Sequence, residues 1–238
     1  MNKIKNTHIM KRITIIVGHY GSGKSEFAMN YALYLAGIKK NICLVDLDIA
    51  SPYFRTREKS DFLKNSNITP VFNNFGMDIG IDLPALSPVI FGCIEDRNKT
   101  TIIDCGGDKH GAKILIQLKR FLPEKNEYEL LFVINRNRDE TSSFSGIKNH
   151  IEEIEKEIGL KISGLVNNTH MLTKTTWDDI IYGNEICTEI AEKMGLKVEF
   201  TCVSEKLLEH NYGNETEMGK LPNIFPMHIY LREKWHDL

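Results

Sequence analysis

The chain has 238 residues, of which 42% are hydrophobic and 26% are charged, and its formal net charge is -2 at pH 7. That length suits one large domain, and the composition is typical of a globular protein. A charge so close to zero gives no general attraction to nucleic acids or anionic membranes, so we expect no specific nucleic-acid partner.

Three features of the sequence predict where in the cell the protein lies. The longest unbroken apolar runs are well short of the ~20 residues that span a membrane, so we expect no stable membrane anchor. Residues 1–6 are basic and polar with no apolar run after them, unlike a signal peptide, and residues 1–11 are interpreted as a loose leader. The 5 cysteines include no Cys-x-x-Cys pair, which favours reduced thiols and a cytoplasmic location.

Short apolar runs alternate along the chain with longer amphipathic stretches. Strands are predicted at 13–17, 42–46, 69–72, 101–104, 130–134, 161–166 and 197–201, and helices near 24–37, 53–64, 84–95, 111–121, 143–158, 176–194 and 204–210. Most strand runs carry apolar residues side by side, as strands buried on both faces of a parallel sheet do. The alternation predicts an α/β fold, a doubly wound and mainly parallel β-sheet with helices on both faces. We expect one domain over 12–211, with 212–238 as an extension packed on it.

The first predicted strand is followed directly by the glycine-rich stretch GHYGSGKS, residues 18–25. Its Gly18, Gly23, Lys24 and Ser25 match the pattern G-x-x-x-x-G-K-[ST] of a phosphate-binding loop. A place between a strand and a helix suits that role, because backbone N–H groups and the helix N-terminus then surround a phosphate. Lys24 is expected to reach the β- and γ-phosphates, and the Ser25 hydroxyl to ligate Mg²⁺. The predicted nucleotide contacts here are Gly18, His19, Tyr20, Gly21, Ser22, Gly23, Lys24, Ser25 and Glu26.

Two other predicted strands end in aspartate, the residue that a Mg²⁺-triphosphate site requires. Asp104 closes the strand at 101–104 and is followed by Cys-Gly-Gly, which is the Walker B arrangement. Asp46 closes the strand at 42–46, and Asp48 faces the same way and lies nearer the carboxyl edge where ligands bind. Either aspartate alone would be read as a solvated turn or helix cap. Beside the glycine-rich loop, we expect Ser25, Asp48 and Asp104 to hold the metal shell.

The order of GHYGSGKS, VDLDIASPYFRTRE, IIDCGGD and ISGLVNN over about residues 13–203 resembles the MinD/ParA branch of P-loop NTPases. It is most similar to a bacterial and archaeal subset of CobQ/CobB/MinD/ParA nucleotide-binding proteins. The resemblance implies that Asp48 positions the hydrolytic water, that Asp104 is the Walker B acid and that Gly107 is the switch glycine. It also implies that Asn167, at the end of the sixth predicted strand, contacts adenine.

The chain departs from that family's pattern at two places. Members that form nucleotide sandwich dimers carry a second lysine early in the loop, and His19 stands there instead, so a weak homodimer is the most that we expect. The guanine-reading pattern Asn-Lys-x-Asp is replaced by Asn-Asn-Thr-His at 167–170. Guanine would need an aspartate there to accept hydrogen bonds from its N1–H and N2–H₂ groups, so ATP is favoured over GTP.

Three lesser features have two interpretations each. Residues 51–58 suit a switch segment in which Arg55 or Arg57 bonds phosphate, and equally a helix start with a solvated basic face. Cys105, Asp108 and His110 are compatible with a transition-metal site, but a structural role is favoured because further ligands are lacking nearby. Arg136 and Arg138 follow the fifth predicted strand, where a solvated loop is favoured over a contact with nucleotide.

The leading hypothesis is a Mg²⁺-dependent ATP-binding protein, a slow ATPase that acts as a nucleotide switch toward an unidentified protein partner. Lys24 and Asp48 are its predicted catalytic residues. Three alternatives stay open: a metallochaperone-type GTPase, a CobQ/CobB-like ATP-dependent ligase or kinase, and a scaffold that binds ATP without turnover.

Overall fold

The computed structural model describes residues 8–48, 56–72, 86–107, 109–210, 219 and 221–231, and the structural statements below concern these residues. Strands and helices alternate along them. The elements are β1 (Ile13–Val17), α1 (Lys24–Ala36), β2 (Ile42–Asp46), α2 (Ser60–Asn65), β3 (Ile68–Phe72), α3 (Pro88–Glu95), β4 (Thr100–Asp104), α4 (Lys109–Lys119), β5 (Tyr128–Ile134), α5 (Phe144–Ile158), β6 (Gly164–Asn167), α6 (Trp177–Met194), β7 (Val198–Ser204), α7 (Glu205–His210) and β8 (Ile224–Met227).

The strands form one parallel sheet in the order β3-β2-β4-β1-β5-β6-β7-β8. The predicted fold class is therefore confirmed. The central strand β1 lies between β4 and β5, so the chain winds outward from it in both directions. Ligands of open α/β sheets bind at such a switch point, outside the carboxyl ends of the strands. The loop at 18–25 leaves β1 at this point.

Both faces of the sheet are covered by apolar side chains, as the unbroken apolar runs predict. All residues of β1 are buried. Ile15 belongs to a core cluster that includes residues of α3, α4, α5 and α6. Its neighbour Ile16 belongs to a second cluster on the other face, with residues of α1 and with Phe225 of β8. No described helix is long and apolar enough to cross a membrane.

The structure differs from the sequence-based expectations at both ends of the chain. The side chain of His8, inside the expected loose leader, is buried, and its ring nitrogens lie 2.9 Å from Glu199 Oε2 and 3.2 Å from Glu129 Oε1. At the other end, Ile224–Met227 pairs in parallel with β7 as the eighth strand. The expected extension at 212–238 thus supplies part of the sheet itself. Pro226 fits there because β8 is an edge strand, where a missing N–H is tolerated.

One predicted strand is displaced along the chain. The apolar pattern predicts 161–166, whereas β6 covers Gly164–Asn167. Side chains take part in the hydrogen bonds of the two residues before β6, Ile162 and Ser163. The Ile162 N–H donates to Glu155 Oε1 at 2.9 Å, and the Ser163 hydroxyl accepts from the Leu130 N–H at 3.0 Å.

Candidate functional site

The loop at 18–25 has a backbone conformation that only glycine adopts readily. Gly18 has φ 151° and Gly23 has φ 83°. A Cβ atom on Gly18 would lie 2.4 Å from the Val133 carbonyl oxygen, and one on Gly23 would lie 2.3 Å from Asn168 Nδ2. Glycine is therefore required at both places by conformation and by close approach. Helix α1 begins immediately afterwards at Lys24.

Lys24 and Asp48, the two predicted catalytic residues, lie together. Lys24 Nζ is 3.8 Å from Asp48 Oδ2, and the two side chains are only 5% and 4% exposed. The lysine also donates to the carbonyl of His19 at 3.4 Å, so it lies back along its own loop. The Asp48 N–H donates to Asp46 Oδ1 at 3.2 Å. A buried cation and two carboxylates thus meet at the start of α1.

Asp104 is fully buried at the end of β4, and in the described part of the chain neither of its carboxylate oxygens has a hydrogen-bond partner. Asp46 is its register partner on β2. Burial, and then the charges of Asp46 and Asp48, raise the pKa of Asp104 well above its usual range, while Lys24 opposes this rise. A cation beside Asp104 would stabilise its carboxylate form, and the hard oxygen atoms of a carboxylate suit Mg²⁺.

The donor set fits a metal that shares its ligands with phosphate. Among the described residues, no three His, Cys, Asp or Glu side chains are grouped so as to hold an ion alone. Mg²⁺ is usually bound by one or two carboxylates together with substrate phosphates, so Asp48 and Asp104 suffice on the protein side. Ser25, the third predicted ligand, lies in the first turn of α1 and lines the adjoining cavity.

The loop after β4 touches the glycine-rich loop at 18–25. A Cβ atom on Gly107 would lie 1.7 Å from the Gly18 carbonyl oxygen, so only glycine fits there. Cys105 is buried, and its thiol donates to the Gly111 carbonyl at 3.4 Å, consistent with the structural role. Asp108, the side chains of Arg57 and His110, and residues 51–55, which include Arg55, lie outside the described part of the chain.

A cavity continues from the glycine-rich loop at 18–25 across the carboxyl ends of β6, β7 and β8. Tyr20, Gly21, Lys24, Ser25 and Asp48 line it at the loop end. The far end is largely apolar, lined by Leu172, Ile180, Val203, Met227, Ile229 and Leu231. A charged end joined to an apolar end has the chemistry of a site for a phosphate ester of an aromatic base.

The structure does not bring Asn167 to this cavity. Its side chain is buried, with Nδ2 donating to the Ile180 carbonyl at 3.1 Å and Oδ1 accepting from the Thr169 N–H at 3.1 Å. The next residue, Asn168, lines the cavity and donates to the Ser22 carbonyl at 2.8 Å. The contact of Asn167 with adenine stays a prediction, and Asn168 is the asparagine that faces the cavity.

His19 of the loop and Glu26 in the first turn of α1 turn toward protein groups. His19 Nδ1 lies 2.9 Å from the Tyr20 carbonyl oxygen and 3.8 Å from Glu140 Oε2, and its ring stands edge-on to that of His150. Glu26 accepts hydrogen bonds from backbone N–H groups near the end of the described chain. Tyr20 is 58% exposed at the mouth of the cavity.

The two arginines after β5 also bond to the protein. Arg138 Nε donates to the Gly21 carbonyl at 3.1 Å, so this residue supports the loop instead of lying in solvent. Arg136 donates to the Tyr182 carbonyl and covers the Tyr182 ring. The sequence carries no local pattern that predicts either contact, because the partners are distant along the chain.

Comparison with known proteins identifies the fold. No protein-family model matches the chain, and no curated protein matches it significantly. The signal recognition particle receptor FtsY from Elizabethkingia anophelis is 16% identical with a TM-score of 0.52, covering 90% of this chain and 66% of that one. FtsY from Mycoplasma mycoides is 19% identical with a TM-score of 0.50, covering 82% and 61%.

A nucleotide-binding protein from Archaeoglobus fulgidus in complex with ADP is 14% identical with a TM-score of 0.46, covering 91% of this chain and 95% of that one. The chain spans 59% and 61% of the first two solved chains that it matches, FtsY from Thermotoga maritima and from Mycoplasma mycoides. At these identities the likeness concerns the fold alone. That fold is the α/β fold of P-loop NTPases.

Proposed function

We propose that this protein binds Mg²⁺-ATP at the carboxyl edge of its sheet and hydrolyses it slowly, as a nucleotide switch toward a protein partner. The motifs that resemble the MinD/ParA branch motivate the switch. One observation carries the proposal of binding. The glycine-rich loop places the buried Lys24 3.8 Å from Asp48, where a charged pocket continues into an apolar cavity.

The phosphates would lie over the loop at 18–25. The first N–H groups of a helix have no partner within it, and the aligned peptide dipoles add positive potential there. Lys24 adds a full charge in a buried setting, where electrostatic attraction is stronger than in water. Phosphate oxygens would compete with Asp48 for Lys24. Nucleotide binding would thereby release the Asp48 carboxylate to orient a water molecule and accept its proton.

Ser25, Asp48 and Asp104 would hold Mg²⁺, which when bound neutralises phosphate charge. The Asp104 oxygens have no hydrogen-bond partner among the described residues, and this observation favours a cation at this place. Gly107 lies against Gly18, close enough for the β4 loop to respond to the contents of the phosphate-binding loop. The chain's own contribution is therefore a preformed anion site beside a preformed set of carboxylates.

ATP is the proposed nucleotide because the described lining of the apolar end of the cavity offers guanine no free carboxylate. In the described lining the carboxylates are Glu26 and Asp48. Glu26 accepts from backbone N–H groups, and Asp48 pairs with Lys24. Adenine lacks the N1–H and N2–H₂ donors of guanine, so its binding leaves no such donor without an acceptor.

Competition binding with MgATP and MgGTP tests the nucleotide. We expect ATP to be preferred by about tenfold, which corresponds to about 1.4 kcal/mol. Equal or tighter binding of GTP would contradict this and favour the metallochaperone-type GTPase. Phosphate release without an acceptor then tests turnover. Release only with an added acceptor favours the ligase or kinase, and no release at all favours the scaffold.

The partner and the oligomeric state are further parts of the proposal. The His19 ring nitrogen already lies against the Tyr20 carbonyl, and histidine has a shorter reach than lysine, so we propose no more than a weak homodimer. Light scattering with and without a non-hydrolysable ATP analogue tests this. The protein partner is sought by capture on the same analogue-loaded protein, with nucleotide-free protein as the control.

A further inference from the structure

The chain leaves β8 and passes over the start of α1, where residues 228–231 form what we name the C-terminal wall. Asn30 of α1 pairs with the backbone of this wall in both directions. Its Nδ2 donates to the His228 carbonyl at 2.8 Å, and its Oδ1 accepts from the His228 N–H at 2.8 Å. The Asn30 side chain thus pairs with both backbone polar groups of His228, as a neighbouring strand would, and it anchors the beginning of the wall.

Glu26 lies one helical turn before Asn30 and holds the other end of the wall. Its Oε1 accepts from the Tyr230 N–H at 2.6 Å and from the Leu231 N–H at 3.2 Å. Its Oε2 accepts from the same Leu231 N–H at 3.2 Å. Bonds from N–H groups to a carboxylate are stronger than those to a neutral acceptor. The carboxylate therefore fixes two consecutive wall residues.

The other side of the wall faces the cavity. His228, Ile229 and Leu231 line it, with Val203 of β7 and Leu172 on the neighbouring loop. This is the apolar end, away from Asp48 and its pair with Lys24. The wall therefore borders the space available to the nucleoside part of a nucleotide, and its place depends on the helix that begins at the phosphate-binding loop.

We propose that Glu26 is a positioning residue that holds the C-terminal wall against the nucleoside, and that it is not a ligand of the phosphates. This inference rests on the proposed function. Glu26 directly follows Ser25, so a free carboxylate there would repel a triphosphate. Its oxygens instead accept from the wall, which directs the negative charge away from the phosphate-binding loop.

These contacts predict how far the affinity for nucleotide falls when the Glu26 carboxylate is removed. Without the carboxylate the wall spends part of its time away from the cavity, and apparent affinity falls by the fraction of protein that remains competent. If that fraction falls to about one tenth, the dissociation constant for the nucleotide rises about tenfold. A ligand without a nucleoside does not use the wall, so its affinity stays unchanged.

The experiment compares MgATP with magnesium tripolyphosphate by calorimetric titration of the full chain. In Glu26→Ala we expect ATP to bind about tenfold more weakly and tripolyphosphate to bind within about twofold of the wild type. Glu152→Ala is the matched control. It removes a glutamate from the surface of α5 whose partner, Lys148, lies 3.6 Å away, and both affinities should stay unchanged.

Unchanged ATP affinity in Glu26→Ala would overturn the proposal. Equal weakening of both ligands would also overturn it, since Glu26 would then act on the phosphates. If Glu26→Ala does not fold, Ile229→Ser decides, because it alters the face of the wall and leaves the Glu26 bonds in place. Weaker binding of ATP alone supports the proposal, and unchanged ATP binding overturns it. Wild-type protein that binds neither ligand would instead contradict the proposed function.

Discussion

The two ends of the candidate site satisfy their polar groups in opposite ways. The phosphate end comprises the loop at 18–25 with Asp46, Asp48 and Asp104, and the nucleoside end comprises the carboxyl ends of β6–β8 with the C-terminal wall. At the phosphate end, Asp104 is buried without a hydrogen-bond partner among the described residues. At the nucleoside end, Asn168 donates to the Ser22 carbonyl and Glu26 accepts from the wall.

The difference shows what each end requires of a ligand. A buried polar group without a partner lowers the free energy of unfolding by about 1–3 kcal/mol. A ligand that brings a cation to Asp104 would therefore stabilise the phosphate end. At the nucleoside end the named polar side chains form hydrogen bonds within the protein, and the surface that faces the cavity is mainly apolar. This end should therefore distinguish one nucleoside from another by shape. Binding strength should therefore depend on the phosphate end, and selectivity on the nucleoside end.

The largest effect is expected at the phosphate end from Lys24→Ala. Loss of a buried cation beside phosphate should weaken binding by about 2–5 kcal/mol. Both MgATP and tripolyphosphate should be affected in calorimetric titration, because both need this charge. Lys148→Ala on the surface of α5 is the control. Wild-type affinity in Lys24→Ala would mean that the loop is not the site.

Asp48→Asn, also at the phosphate end, should reduce ATP turnover and leave ATP binding in place. The amide cannot accept a proton from water, and loss of such a group typically slows a reaction about 10²-fold or more. Titration should show retained ATP binding, while phosphate release falls. Unchanged turnover would transfer the role to Asp46, whose Oδ1 accepts the Asp48 N–H.

Asp104→Asn should make the ligand-free protein more stable and the metal site weaker. The amide removes the buried carboxyl group on which the charges of Asp46 and Asp48 act, and relief of this repulsion should raise the free energy of unfolding by about 1–3 kcal/mol. Thermal unfolding without ligand measures the gain. Titration of ATP with and without Mg²⁺ measures the loss, which should appear only with the metal. Lower stability of the ligand-free variant would show that Asp104 is structural.

The smallest effect concerns His8, which belongs to neither end. Burial alone lowers the pKa of His8, but the hydrogen bonds and charges of Glu129 and Glu199 outweigh it and raise this pKa from 6.5 to about 9. Protonated His8 therefore stabilises the fold fully below pH 6.5, and this contribution is lost as the pH rises through 9. One proton gives at most about 1.4 kcal/mol per pH unit, and screening by solvent reduces the slope.

Denaturant unfolding of the wild type and of His8→Ala between pH 6.5 and 9 measures this contribution. The variant should lose the fall in stability that the wild type shows over this range. Its affinity for ATP should stay unchanged, since His8 contacts strands and not the cavity. Equal slopes in the two proteins would show that His8 does not titrate as its two glutamate neighbours require.

Much of the fold could be predicted because local pattern and burial agree along the central strands. The runs at 13–17 and 42–46 match β1 and β2 at both ends, since strands buried on both faces read as unbroken apolar runs. Ile224–Met227 is different. Four residues that include Pro226 carry no strand pattern, and only pairing with the edge of β7 makes them a strand.

The sequence alone determined the conformation of the glycine-rich loop at 18–25 and the presence of aspartates at two strand ends near it. A glycine pattern between a strand and a helix specifies its own backbone, and aspartates at strand ends meet wherever parallel strands share an edge. Tertiary structure alone decided which asparagine faces the cavity, since Asn167 bonds to Ile180 on α6 and Asn168 does not. It also decided the role of Glu26, whose partners lie 204 and 205 residues away. Contacts at that separation follow from how the sheet folds, and no local pattern encodes them.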